Sequence, residues 1–453
     1  GNGSYSATLV TNPNLGVGDH QGSIEIEACG DPSCVTFYGS ASVPYDFKVI
    51  SATNLKSLSN LSGATDWQPS NGDAGRTAYE PVTLDASTFT PRWLYTEPAF
   101  QGMLSQSDFA TEGAGLATNT TNTVTTDSAN RLVVFADGPN LIALKETTGT
   151  KVWSKDVDPH DYGNPASPAI ANGVVYTAQG TAPSGIGNQD GAELSSYDET
   201  TGAAGFQSSY SPTYCGGCGP APVTVVGSQA FLEPGDQGYG MSVIAFDATT
   251  GAVNWVSPIS ADNDLAYALD GSNVYFVDNP DGYGLVAFDQ PTGTMQFSFH
   301  GVGKFLALDG SSGAIGYVGT GFQRVDLSTQ SVDWTSTGFS QFAIPISSAN
   351  GNGALYIGTT ELGSPAGVIA YSTKNGHQLW SWSAPPSDGT GETLSLIATK
   401  NLLFVGTDTV TYAIDVKTHT VVWSFPLGGG LSMSPSGILY IQGATHLAAI
   451  NLR

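Results

Sequence analysis

Positive charge is what this sequence most lacks: 14 Lys and Arg stand against 39 Asp and Glu in 453 residues, a formal charge of −25 at pH 7. A surface of that sign repels phosphate backbones and anionic membranes, so no nucleic-acid partner is expected and the charge suits a soluble secreted chain. Charged residues of either sign are scarce, at 12% of the chain, about half the usual share. No apolar run approaches the ~20 residues of a membrane span. Gly1 opens without a Met or a signal-peptide pattern, as expected of a mature or trimmed chain. There are only four cysteines, in two close pairs, Cys29/Cys34 and Cys215/Cys218. Each pair can close a small loop in an oxidising compartment, and two disulfides are expected. A Cys-x-x-Cys is otherwise half a zinc site, but no second pair or nearby His completes four ligands, and no His follows Cys218 as haem attachment requires.

Glycine is plentiful, at 57 residues, and a tenth of the chain is aromatic. That composition belongs to a turn-dense all-β protein with material for a large core. Repetition then sets the architecture. An aromatic residue recurs eight positions after the start of a tight turn, from Lys145 to Trp153, Asp198 to Phe206, Asp247 to Trp255, Asp289 to Phe297, Asp326 to Trp334, Ser372 to Trp380 and Asp415 to Trp423, with an eighth copy from Asp85 to Trp93. The Asp-x-x-Thr-Gly core is hairpin chemistry, in which Asp caps the turn and Gly supplies positive φ. An independent series of short apolar strands, from Leu132–Ala136 to Leu439–Gln442, also counts eight.

Eight four-stranded antiparallel blades are therefore predicted. The last unit, ending at Leu447 to Arg453, is one strand short, and the strand around Trp93 precedes the first complete unit. An N-terminal strand carrying Trp93 is expected to complete the last blade and close the ring, which removes exposed sheet edges. The rhythm resembles the repeats of the pyrroloquinoline-quinone (PQQ)-like propellers over about residues 80–453. That superfamily includes quinone-dependent alcohol dehydrogenases and cofactor-free relatives, such as the propeller lipoprotein of the outer-membrane assembly machinery, so the resemblance implies fold more than function. The enzymes usually carry adjacent cysteines beneath the quinone and often a haem motif; here Gly-Gly separates Cys215 from Cys218 and no haem motif exists.

Ahead of the ring, residues 1–51 form a β-rich module in which Tyr5–Val10, Ser23–Glu27 and Val43–Ser51 alternate like strands. It resembles the C-terminal part of a bacterial immunoglobulin-like domain, with too few strands for a sandwich. Upstream sequence, packing on the propeller or strand addition from a partner would each complete it. Residues 52–80 read as a linker and 81–453 as the propeller.

In such blades the Asp-x-x-Thr-Gly turns leave from one face. The long segments Val157–Pro168, Gln179–Ala192, Ser209–Pro222, Glu233–Met241, Asn279–Tyr283 and Thr360–Ala366 leave from the other, which is the expected functional surface. The candidate binding face comprises His160, Asp161, Tyr162, Asp190, Tyr214, Asp236 and Tyr239. Its His beside carboxylates suits a base or a metal ligand but equally a solvated loop, and its tyrosines suit sugar or peptide recognition but equally loop packing. Calcium on Asp190, Asp236 or the Asp278–Asp281 turn is the candidate metal, without an EF-hand order of ligands. The expected function is a non-catalytic, extracytoplasmic scaffold that binds protein or glycan at the cell surface and needs no cofactor. Alternatives are a structural subunit that self-associates through the N-terminal module, and a PQQ-dependent dehydrogenase or polysaccharide-degrading enzyme.

Overall fold

The computed structural model describes residues 17–31, 34–49, 51, 55–69, 71–96, 123–157, 167–181, 191–210, 222–232, 242–258, 267–278, 284–300, 304–310, 312–318, 321–336, 348–359, 364–388 and 391–453. The chain divides into two compact units, Gly1–Ser57 and Leu58–Arg453.

In the first unit Gly18–Cys29 pairs antiparallel with Phe37–Val49, Ile24 lying opposite Val43 and Gly22 opposite Tyr45. A disulfide joins Cys29 to Cys34. Inside this turn the Asp31 carboxylate accepts the N–H groups of Val35 and Thr36. The period of two puts Ile24, Ile26, Ala28, Ala41, Val43 and Tyr45 on one face, and Asp19, Gln21, Ser23, Glu25 and Glu27 on the other. The hairpin is thus amphipathic, and Ile26, Val43 and Tyr45 are exposed.

The second unit is an eight-bladed propeller of four-stranded antiparallel sheets. From the axis outward, blade 1 is Thr125–Asp127, Leu132–Asp137, Asn140–Lys145 and Lys151–Asp156, and blades 2 to 7 repeat this order. Blade 8 takes Gly430–Ser434, Ile438–Gln442 and Leu447–Asn451 from the C-terminus, with Thr90–Tyr95 as its outer strand and Trp93 opposite Ala449. Second strands such as Leu132–Asp137 are buried throughout, whereas outer strands such as Lys151–Asp156 bury only the aromatic residue. That contrast follows from covering a sheet on both faces at its centre and leaving its rim to solvent.

The eight-residue spacing has a physical cause at the junction between blades. In the turn beginning at Asp247, the carboxylate accepts the N–H groups of Thr249 and Thr250, and Gly251 takes φ 73°. The aromatic ring of the preceding blade lies on that glycine: Trp93 on Gly149, Trp153 on Gly202, Phe206 on Gly251, Trp255 on Gly293 and Trp334 on Gly376. The four indole N–H groups donate to the carbonyl of the second turn residue, Glu146, Glu199, Gln290 and Thr373, at 2.7–2.9 Å. Phe206 has no N–H to give, and the Ala248 carbonyl instead accepts from the Tyr176 hydroxyl at 2.8 Å. Where His419 replaces the glycine, its ring stacks on Trp380 at 4.8 Å.

The stretch expected to be a linker behaves otherwise from Leu58 onward. It circles the axis at the end of the inner strands where the short turns leave, visiting the blades in ring order. Leu61 donates to Pro435 of blade 8, Trp67 accepts from Thr126 of blade 1, and Ala74 accepts from Leu269 of blade 4. Gly75, Thr77 and Ala78 then accept from Leu308, Asn350 and Ala398 of blades 5, 6 and 7, while the Gln68 side chain takes the N–H of Ile170 in blade 2. Tyr79–Glu80 adds to the blade 7 inner strand as a parallel strand. Trp67 is buried with Ala78, Val82 and Leu84 in the largest core cluster. Its polar composition, rich in Ser, Asn and Gly, suits a strap that satisfies strand-end N–H groups rather than a flexible tether.

Candidate functional site

His160, Asp161, Tyr162, Asp190, Tyr214, Asp236 and Tyr239 lie outside the described residues, as do Cys215, Cys218 and the strand expected at Tyr5–Val10. The strands that flank them are described. Segments 182–190, 233–241 and 279–283 each join a second strand to a third, and 158–166 and 211–221 each join an outer strand to the next inner one. In an antiparallel meander both kinds of connection leave from one face, so the strand ends that flank these segments lie on the face opposite the strap. Tyr210, which closes one of these outer strands, packs against the core shared by blades 2 and 3.

At the strap end of the inner strands lie three acids, Glu80 buried and Asp66 and Asp73 half-buried. Asp66 accepts from the Ser128 N–H and hydroxyl at 2.8 and 2.9 Å and from the Thr126 hydroxyl at 3.1 Å. Glu80 accepts from the Thr65 N–H and hydroxyl at 3.1 and 3.2 Å, and burial pushes its carboxyl up to about 7. Burial likewise raises Asp66 and Asp73.

At the opposite end, blade 7 carries acids that the sequence did not single out. The Tyr412 hydroxyl donates to Asp388, and Asp408 accepts the Glu392 N–H at 3.3 Å. Burial raises both Glu392 and Asp408, and for Glu392 their mutual repulsion adds to the shift. Their signal in the sequence is positional: Glu392 directly precedes an inner strand and Asp408 directly follows a second strand.

Two further acids occupy the second position of the junction turns. Glu146 is buried between blades 8 and 1, where it meets Arg131 at 3.3 Å, the Ser436 hydroxyl at 2.8 Å and the Tyr440 hydroxyl at 3.3 Å. Glu199 is its counterpart between blades 1 and 2 and faces Asn130 and Asp127. Burial first, and then Asp127, pushes its carboxyl up to about 8.

A quinone of the PQQ type is a polyanion and needs converging cations. Among the described residues, the eight inner strands carry one basic residue, Lys304, against two acids, Asp127 and Asp309; the rest are small or apolar. The described inner strands do not themselves supply those cations.

Residues 52–336 match the family model described as outer membrane protein assembly factor BamB. Solved structures share the architecture. Quinohemoprotein alcohol dehydrogenase from Comamonas testosteroni superposes with a TM-score of 0.61 at 14% identity, over 86% of this chain and 81% of that one. BamB from Moraxella catarrhalis does so with 0.50 at 14% identity, over 80% and 100%. A europium-containing methanol dehydrogenase gives 0.58 at 13% identity, over 83% and 88%. Likeness at these identities is likeness of fold. No curated protein matches the chain. With more than half of its length matched by one family model, the chain belongs to the family of propellers described as outer membrane protein assembly factor BamB.

Proposed function

We propose that this protein is a non-catalytic, extracytoplasmic scaffold that binds a protein or glycan at the cell surface through the face bearing His160, Asp161, Tyr162, Asp190, Tyr214, Asp236 and Tyr239. The observation that carries this reading is the strap. The strap occupies the inner-strand ends on one face through its hydrogen bonds, which supports a partner approaching from the opposite face, where the long segments begin and end. The family match to an assembly factor supports a protein partner, and the near absence of cations on the inner strands weighs against a bound quinone. Among the described residues no helix is long and apolar enough to cross a membrane.

The test is site-specific photocrosslinking in the source cells, with the crosslinker at His160, Tyr214 or Tyr239 and, as controls on the strap face, at Thr249 or Thr418. Adducts from the first set alone support the reading, and adducts from the controls alone reject it. Dye-linked alcohol oxidation after addition of PQQ and calcium would establish the dehydrogenase instead.

A second reading has its own observation. The hairpin of the first unit exposes apolar residues Ile26, Val43 and Tyr45, and the two strands among its described residues are too few for independent stability. Strand addition by a second copy would cover it and build a chain of subunits. Size measurement across a concentration series tests this, since a monomer at all concentrations is incompatible with it.

A further inference from the structure

Two neighbouring blade junctions use the same architecture with opposite electrostatics. Between blades 8 and 1, the buried Glu146 is neutralised by Arg131 of its own blade's first turn. The N–H of Glu146 bonds the Arg131 carbonyl, and the N–H of Glu199 bonds the Gly173 carbonyl, so Gly173 stands where the guanidinium would come from. In place of a cation, Glu199 meets a second carboxylate. Asp127 lies within hydrogen-bonding reach of it, and the Asn130 amide bridges the two, at 2.8 Å from Asp127 and 3.4 Å from Glu199.

Glu199 is 1% exposed, and its Oε1 has no hydrogen-bond partner. Two carboxylates sharing one site, one of them buried with an unpartnered oxygen, repel unless a proton or a cation offsets their charge. An amide supplies only a dipole. With a cation between the carboxylates, the same amide turned over offers its oxygen instead. Asp127 is only part-buried, which leaves room for water to complete a coordination shell.

We propose that Glu199 and Asp127, with the Asn130 amide oxygen, hold a hard divalent cation that clamps blade 1 to blade 2. An all-oxygen set open to water on one side suits Ca2+, which accepts irregular shells of six to eight oxygens. The site is separate from the candidate binding face and does not depend on that reading.

Equilibrium dialysis of the whole chain against CaCl2 after EDTA treatment tests it, together with melting temperatures with and without about 5 mM CaCl2. Glu199→Gln is expected to bind one equivalent of Ca2+ fewer than the wild type and to lose a calcium-dependent rise of about 2–4 °C. Gly173→Arg restores the guanidinium of the neighbouring junction. Nothing lies within 4 Å of a Cβ added there, and Arg131 already adopts positive φ at the matching position. This variant is expected to melt without calcium near the temperature of the calcium-loaded wild type. Equal stoichiometry in the wild type and Glu199→Gln overturns the proposal. So does a wild type that is stabilised by acid but not by Ca2+, because a shared proton would then be the counter-charge.

Discussion

The indole N–H of Trp153 donates to the carbonyl of Glu199 at 2.8 Å, and the same ring covers Gly202, where a Cβ would come within 2.8 Å of it. One aromatic residue thus reads two features of the next blade's turn, its second carbonyl and its glycine. The repeat is therefore a docking rule between blades as well as a rule for making a hairpin.

Gly202→Ala breaks that rule in two ways. It places a methyl group against Trp153 and a side chain at φ 66°, and together these are expected to cost about 2–4 kcal/mol. Gly271→Ala is the control, because its φ is 90° but nothing lies within 4 Å of the added carbon. It should lose only the strain, about 1 kcal/mol. Denaturant unfolding of both variants separates docking from backbone strain, and equal losses would mean that the indole contact contributes nothing.

Trp93→Ala removes the indole of the strand that completes blade 8. Trp93 is 9% exposed and packs on Tyr440 and Gly149, so the expected loss is about 3–5 kcal/mol. An unchanged melting temperature would reject its role in closing the ring.

The fold was legible because its signals are local. Asp, Gly and an aromatic residue at fixed spacing mark each junction whatever else varies, and the missing last strand pointed to Trp93. The strap was not legible, because its bonds come from backbone carbonyls such as those of Ala74, Gly75 and Ala78, which any residue possesses. Trp67 in a polar stretch was the one hint that residues after Leu58 are buried. Glu199 was hidden for a different reason. It sits at the second position of a motif whose other members are Glu, Ala, Gln, Leu, Thr and Val, so its meaning depends on Asp127, 72 positions upstream and in another blade.

Stability should fall as pH rises, through Glu80. Its carboxyl is held near 7 in the folded protein against an ordinary 4.5, so the folded state binds the proton more tightly than the unfolded chain. The contribution is complete below about pH 4.5 and is lost as pH rises towards 7, by at most about 3 kcal/mol. Glu80→Gln is expected to flatten this fall. Glu199, raised to about 8, acts in the same direction in both proteins. The difference between the wild-type and variant curves in EDTA therefore isolates Glu80, and parallel curves would show that its proton is not linked to folding.

Truncation separates a strap from a linker most directly. The second unit begins at Leu58, so a chain starting there should keep the melting temperature of the propeller. A chain starting at Pro81 keeps the ring-closing strand Thr90–Tyr95 but loses Trp67 and the backbone bonds to blades 8, 1, 4, 5, 6 and 7. It leaves inner-strand N–H groups such as those of Leu269 and Leu308 without their carbonyl partners, at about 1–3 kcal/mol for each that stays shielded from water. The shorter chain is expected to melt well below the longer one and to expose the inner-strand ends to amide hydrogen exchange. If the two chains melt together with equal protection at Leu269, Leu308 and Ala398, residues 58–80 are a tether after all.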